Sequence, residues 1–248
     1  MLRAYADGSL FGEAHGDGEP RVLWLHGWAR RGRDFDGAAQ VLADRGVASV
    51  ALDLPGFGAT PAPERAGGAR EYARAVAPVL GEIATSPVVL VGHSLGGRVA
   101  TVLAATNPDR VAGLVIVAAP LVRLGAAAPP PAAYRAVRWL ARRGVVSDAR
   151  LEAARQRYGS ADYRAAKGVM RDVLVTMIGE DYSDELARVS APASLVWGER
   201  DAEVPVAVAR RVIEILGGRA PLAVLAGVGH LVPTEAPLAL ADAAWSML

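Results

Sequence analysis

Apolar residues fall into two recurring patterns along this chain. Short runs that are apolar at nearly every position, Val22-Leu23-Trp24-Leu25, Ala48-Ser49-Val50-Ala51-Leu52, Pro87-Val88-Val89-Leu90-Val91 and residues 111–118, each stop at a glycine, proline or polar residue. Such runs suit interior strands of a parallel sheet, buried on both faces. Between them apolar residues recur at helical spacing: Phe35, Ala38, Val41 and Leu42 within residues 34–45, a second helix over 71–83 that Pro78 is expected to kink or divide, and a third over 95–106. Farther on, residues 193–197 and 221–225 predict two more short strands around a helix over 205–216, and residues 234–248 predict a closing helix. The opening segment, from Leu2 to about His15, reads as a hairpin with turns at Asp7-Gly8 and Gly16-Asp17-Gly18.

This alternation of strand and helix predicts an α/β fold, a mostly parallel sheet with helices on both faces. One stretch breaks the rhythm. Residues 121–186 hold helical patterns and a flexible Ala/Pro segment, 126–132, without a convincing strand, and are expected to form a helical cap insertion. The expected organisation is one core domain, 1–120 with 187–248, and the cap, 121–186.

Composition narrows the picture. With 248 residues, 52% of them hydrophobic and 21% charged, the chain is too apolar for a disordered protein and long enough for one continuous core. No apolar run reaches the roughly 18 residues of a membrane span, and Asp7, Gly8, Gly12 and Glu13 stand where a targeting segment would need an apolar core. A cytoplasmic location is expected. The absence of cysteine excludes disulfides, thiolate catalysis and cysteine-based zinc sites. The four histidines, His15, His26, His93 and His230, lack metal-ligand spacing, so neither a metal nor a cofactor is expected. A net charge of +1 decides little by itself.

Gly92-His93-Ser94-Leu95-Gly96 fits G-x-S-x-G between a predicted strand and a predicted helix. The glycines leave room for a sharp turn that lifts the serine hydroxyl clear of the backbone. Serine is a poor nucleophile at neutral pH and needs a base. Of the four histidines, His230 in the loop Ala226-Gly227-Val228-Gly229-His230 is the candidate, because it follows the last predicted strand. His26 and His93 read as neighbours of turn glycines, and His15 as exposed. The base needs a carboxylate to fix its tautomer. Trp197-Gly198-Glu199-Arg200-Asp201 offers Asp201, with Glu199 as competitor, and the order Ser94, Asp201, His230 suits this fold. Backbone N–H groups of Trp28 and Leu95 are the candidate oxyanion donors. Trp28, Arg98 and Leu231 are candidate substrate contacts.

His26-Gly27-Trp28, Asp53-Leu54-Pro55-Gly56-Phe57-Gly58, Gly92-His93-Ser94-Leu95-Gly96-Gly97, Gly198-Glu199-Arg200-Asp201 and Gly229-His230 together resemble the α/β-hydrolase family, over nearly the whole chain apart from the insertion. The resemblance implies an eight-stranded sheet and a serine hydrolase that cleaves a carboxylic ester or thioester through an acyl-enzyme. Within the family, the H-G-W start and S-L-G-G elbow are similar to small carboxylesterases, including the pimeloyl-acyl-carrier-protein methyl ester esterases. Ser94 sets aside relatives that attack with aspartate, and Leu231 those C–C hydrolases with an aromatic residue after the histidine. Two alternatives stay open. Ser94 to Ala100, S-L-G-G-R-V-A, also resembles a menaquinone-pathway lyase in which the arginine binds a substrate carboxylate, although Arg98 reads more readily as a structural ion-pair partner. The other is a non-catalytic hydrolase-like receptor.

The insertion is basic. Arg123, Arg135, Arg138, Arg142, Arg143, Arg150, Arg155, Arg157, Arg164, Lys167 and Arg171 face only Asp148, Glu152 and Asp162 within residues 121–171. Such a surface suits an anionic or carrier-linked acyl substrate, or is simply a solvated face in a chain that uses Arg in place of Lys. Tyr134, Trp139 and Leu140 are expected to pack the insertion onto the core. A small-molecule acyl substrate is expected, without nucleic acid and without a membrane span.

Overall fold

The computed structural model describes residues 2–125 and 131–248. Eight strands form one sheet among them: β1 (Leu2–Tyr5), β2 (Leu10–His15), β3 (Val22–Leu25), β4 (Ser49–Asp53), β5 (Val88–His93), β6 (Val111–Val117), β7 (Ala193–Gly198) and β8 (Leu222–Leu225). Their order across the sheet is β1-β2-β4-β3-β5-β6-β7-β8. β2 runs antiparallel to both neighbours, and the strands from β4 to β8 are parallel. The helices are α1 (Asp36–Asp44), α2 (Ala69–Ile83), α3 (Leu95–Thr106), α4 (Ala132–Arg142), α5 (Asp148–Tyr158), α6 (Ala161–Ala165), α7 (Val169–Gly179), α8 (Ser183–Arg188), α9 (Val206–Ile215), α10 (Val232–Glu235) and α11 (Pro237–Trp245).

The apolar runs are apolar throughout because both faces of each strand are covered. Leu23, Leu25, Leu90, Leu114 and Ile116 point to the layer that holds α2, α3, α8 and α9. Their neighbours Val22, Trp24, Val89, Val91, Val115 and Val117 point to the opposite layer, with α1 and α11. Burying such side chains is worth about 1.5–3 kcal/mol each, so the two layers fix the register of the central strands. Every parallel strand therefore ends at the same edge of the sheet, and the loops after β3, β5, β7 and β8 meet there.

Three details depart from the sequence expectations. Pro78 does not divide α2, which runs unbroken over 15 residues; Pro78 is exposed, so the carbonyl it leaves without a donor one turn earlier can turn to water. The closing segment is two helices, α10 and α11, because Pro237 starts a new one. In the stretch between β6 and β7, α4 buries none of its residues and packs on α5, and Trp139 is 52% exposed. Trp139 thus does not pack onto the core; the Arg143 guanidinium lies 3.9 Å over its ring instead. Most of the Ala/Pro segment, residues 126–130, lies outside the described residues.

The later helices of this stretch are tied to the core. Glu180 accepts the Ala69 N–H at 3.0 Å, Arg70 pairs with Glu185 at 2.7 Å, and Met170 lies against Gly56 and the Tyr72 hydroxyl. At the sheet edge, tolerance is smallest at Gly96, where an added Cβ would overlap the Leu25 carbonyl group. Gly96→Ala is expected to lower the unfolding free energy by about 1–3 kcal/mol, read as a shift of the urea midpoint at unchanged m-value.

Candidate active site

β5 passes into α3 through Ser94, whose backbone has φ 49° and ψ −109°. A residue with a Cβ costs of order 1–3 kcal/mol in such a conformation. It is held by hydrogen bonds on both sides: the Ser94 N–H donates to the Val117 carbonyl at 2.9 Å, and the Gly96 N–H to the His26 carbonyl at 2.9 Å. The second bond draws the loop after β3 against the first turn of α3. Trp28 and Leu95 are therefore brought to the same corner. Among the described residues neither backbone N–H donates to a protein acceptor.

The loop after β7 carries Asp201, and the loop after β8 carries His230. These loops approach closely because residue 198 is glycine; a Cβ there would overlap the Gly229 carbonyl oxygen. His230 Nδ1 meets Asp201 Oδ2 at 2.8 Å. The other carboxylate oxygen accepts the N–H groups of Glu203 at 2.9 Å and Val204 at 2.8 Å. Burial pushes the Asp201 carboxyl up, but these hydrogen bonds and the His230 charge outweigh it and hold the group below its usual range. Glu199, the competitor, accepts the Gly227 N–H at 3.0 Å and braces the turn after β8 instead.

His230 has opposing influences too. Burial disfavours its charged form, while the hydrogen bond to Asp201 and the charges of Asp201, Glu203 and Glu235 favour it, with a net upward shift. Ser94, His230, Trp28 and Leu231 line one cavity of about 290 Å³, together with Gly27, Ala29, Arg30, His93, Asp162 and Glu203. Arg98 does not line it. That guanidinium is buried under α7, donating to the Met177 carbonyl at 2.8 Å and lying over the Tyr182 ring.

The other histidines brace this edge or lie away from it. His26 Nε2 accepts the Leu54 N–H at 2.9 Å, so Nδ1 carries the proton and donates to the Gly27 carbonyl at 2.7 Å. His93 Nε2 donates to the His230 carbonyl at 2.8 Å. Burial lowers the pKa of His26 to about 4 and that of His93 to about 3, so both stay neutral near pH 7. His15 is only partly exposed, beside Asp36 at 3.5 Å. Sequence reasoning missed Glu203, Asp162 and the bracing role of His93. Glu203 was two residues from Asp201 and within reach of local reading; nothing local ties Asp162 to position 94.

The sequence profile of the alpha/beta hydrolase family matches residues 22–243 of this chain. The chain is similar to the pimeloyl-[acyl-carrier protein] methyl ester esterase of Chromobacterium violaceum, 33% identical over 229 residues that cover 84% of this chain and 86% of that protein. It is also similar to the protein of the same name from Vibrio cholerae, 31% identical over 228 residues, 82% and 84% of the two chains. Among solved structures, the thioesterase domain from the curacin biosynthetic pathway superposes with a TM-score of 0.73 at 21% identity, covering 99% of this chain and 98% of that one. A thermophilic esterase from Thermogutta terrifontis does so with a TM-score of 0.71 at 23% identity, covering 99% and 96%.

These protonation states are open to histidine NMR titration. His230 is expected to titrate above the ordinary value near 6.5, and Asp201→Asn to bring it down. His26 and His93 are expected to stay neutral to about pH 4 and about pH 3. Their folded values lie below the unfolded one, so their contribution to stability is complete above pH ~6.5 and is lost as pH falls through the folded values. His230 has the opposite sign: its raised value adds stability at low pH that disappears as pH rises through it.

Proposed function

Because this chain belongs to the alpha/beta hydrolase family, we propose that it cleaves a carboxylic ester or thioester with Ser94 as nucleophile, His230 as general base and Asp201 as the residue that orients the histidine. The observation that carries this reading is the 2.8 Å bond between His230 Nδ1 and Asp201 Oδ2, at the wall of a cavity that Ser94 enters from its strained turn. With the Nδ1 proton held by Asp201, His230 Nε2 is left as the base. It takes the Ser94 proton as the oxygen attacks the carbonyl, and returns it to the departing alcohol or thiol. The Trp28 and Leu95 N–H groups hold the oxyanion in each tetrahedral intermediate. Water then enters by the same route, adds to the acyl-enzyme and releases the acid. Substrate and water are the only reactants this chemistry consumes.

Residues 121–186 act in this reading as a cap. Its exposed arginines on α4 and α5, among them Arg135, Arg142 and Arg150, suit an acyl group presented on an acidic carrier. The esterase names of the two relatives support an ester linked to a carrier protein as the substrate class. Arg98, on which a lyase reading depends, donates to the Met177 carbonyl, lies over the Tyr182 ring and does not line the Ser94 cavity.

A fluorophosphonate probe is expected to label Ser94, and Ser94→Ala to abolish both labelling and turnover of p-nitrophenyl esters. His230→Ala is expected to lower kcat/KM at least about 10³-fold and Asp201→Asn about 10³- to 10⁴-fold. An unlabelled wild-type protein, or a serine variant that still turns over, overturns the assignment.

A further inference from the structure

The Ser94 cavity and the helices α4 and α5 carry opposite charge. Glu203 stands two residues beyond Asp201, its N–H tied to Asp201 Oδ1 at 2.9 Å, and its Oε2 lies 3.6 Å from His230 Nε2. Asp162, from α6, lines the same cavity. Arg30 is the one arginine or lysine among the lining residues, and it is already paired with Asp34. Among the described residues, neither Glu203 nor Asp162 forms an ion pair with an arginine or lysine. α4 and α5, by contrast, expose Arg135, Arg138, Arg142, Arg150 and Arg157, with Arg155 paired to Glu152.

We infer that Glu203 and Asp162 form an acidic collar around the Ser94–His230 cavity, which admits an uncharged ester group and turns away a carboxylate at the same place. The inference rests on the serine-hydrolase reading above and names the substrate class of that site: an ester end without charge, on a chain whose anionic group is distant and faces the arginines. Such a molecule has one favourable orientation, ester inward. Hydrolysis changes the balance inside the collar. The C–O or C–S bond breaks, water supplies the oxygen, and the new acid loses its proton, leaving a carboxylate beside two others. Product is then driven outward, and an ester end is distinguished from a free acid end of the same chain.

Unit charges a few ångströms apart at a partly solvated site interact strongly enough for a selectivity of about tenfold. Glu203 is 69% exposed, so salt is expected to weaken the effect.

The test is kcat/KM for p-nitrophenyl half-esters of dicarboxylic acids of increasing length, each against its neutral methyl-capped twin. For the wild type at low salt, the short half-esters are expected to be worse than their twins by about tenfold, and the long ones not. Glu203→Gln and Asp162→Asn are each expected to shrink that ratio. A second measurement needs no variant: short carboxylates are expected to inhibit the wild type more weakly than the matching neutral amides. Equal turnover of short half-esters and twins, or ratios unchanged in both variants while Ser94 still takes up fluorophosphonate, overturns the collar and leaves the serine assignment standing. Failure of Ser94 to label, with turnover surviving Ser94→Ala, overturns both.

Discussion

The turn at Ser94 is the constraint from which the geometry of this edge follows. A side chain held at positive φ between a buried strand and a buried helix cannot relax without moving one of them. β5 is locked between β3 and β6, and α3 is covered by Leu95, Val99 and Leu103 in the core. The turn therefore stays strained, and the space around it is taken up: a Cβ at Gly92 would overlap the first turn of α3, and one at Gly97 would meet Ala119. Strain of one residue is outweighed by packing of dozens. Residue 94 is thus presented at one fixed point of the sheet edge, to which the other loops are fitted.

That fitting is done by hydrogen bonds from groups that do not titrate near pH 7. His93, adjacent to the turn, reaches the His230 carbonyl, while His26 joins the ends of β3 and β4 through the Leu54 N–H. Desolvation keeps both rings neutral, so each holds one donor and one acceptor over the whole working range. A lysine or arginine could not bridge in this way. His230 differs because Asp201, itself fixed by two backbone N–H groups, faces its Nδ1. Three histidines within one loop cluster are given different acid–base behaviour by burial and by a single carboxylate.

How much of this was legible in the sequence depends on how local each cause is. The strands β3 to β6 read directly because burial on both faces makes every position apolar, and the pentapeptide at 92–96 was readable because its glycines answer to steric limits within five residues. The choice between Asp201 and Glu199 was not local: both follow β7, and only the approach of the Gly229 loop over Gly198 decides which meets His230. That Pro78 would not divide α2 could not be read because solvent, absent from a sequence pattern, tolerates the freed carbonyl. Trp139 was misjudged for a related reason. An aromatic residue at helical spacing predicts a buried partner, but a guanidinium 3.9 Å above the ring serves as well.

The arginines of the stretch between β6 and β7 therefore have two separate uses, and net charge distinguishes neither. Arg143 over Trp139, Arg138 over Tyr134 and Arg157 over Tyr158 cover aromatic surface that α4 and α5 do not bury in the core. Arg171 and Arg155 share Glu152. Covering a ring leaves a guanidinium charged, so stacking and long-range attraction of an anion are compatible, whereas pairing with a carboxylate cancels the field. The charge felt by an approaching molecule is set by which arginines stack and which pair. A chain with a formal charge of +1 can thus expose arginines on α4 and α5 while Glu203 and Asp162 line its cavity with no arginine or lysine partner among the described residues, a separation that the placement of α6 and of the loop after β7 creates.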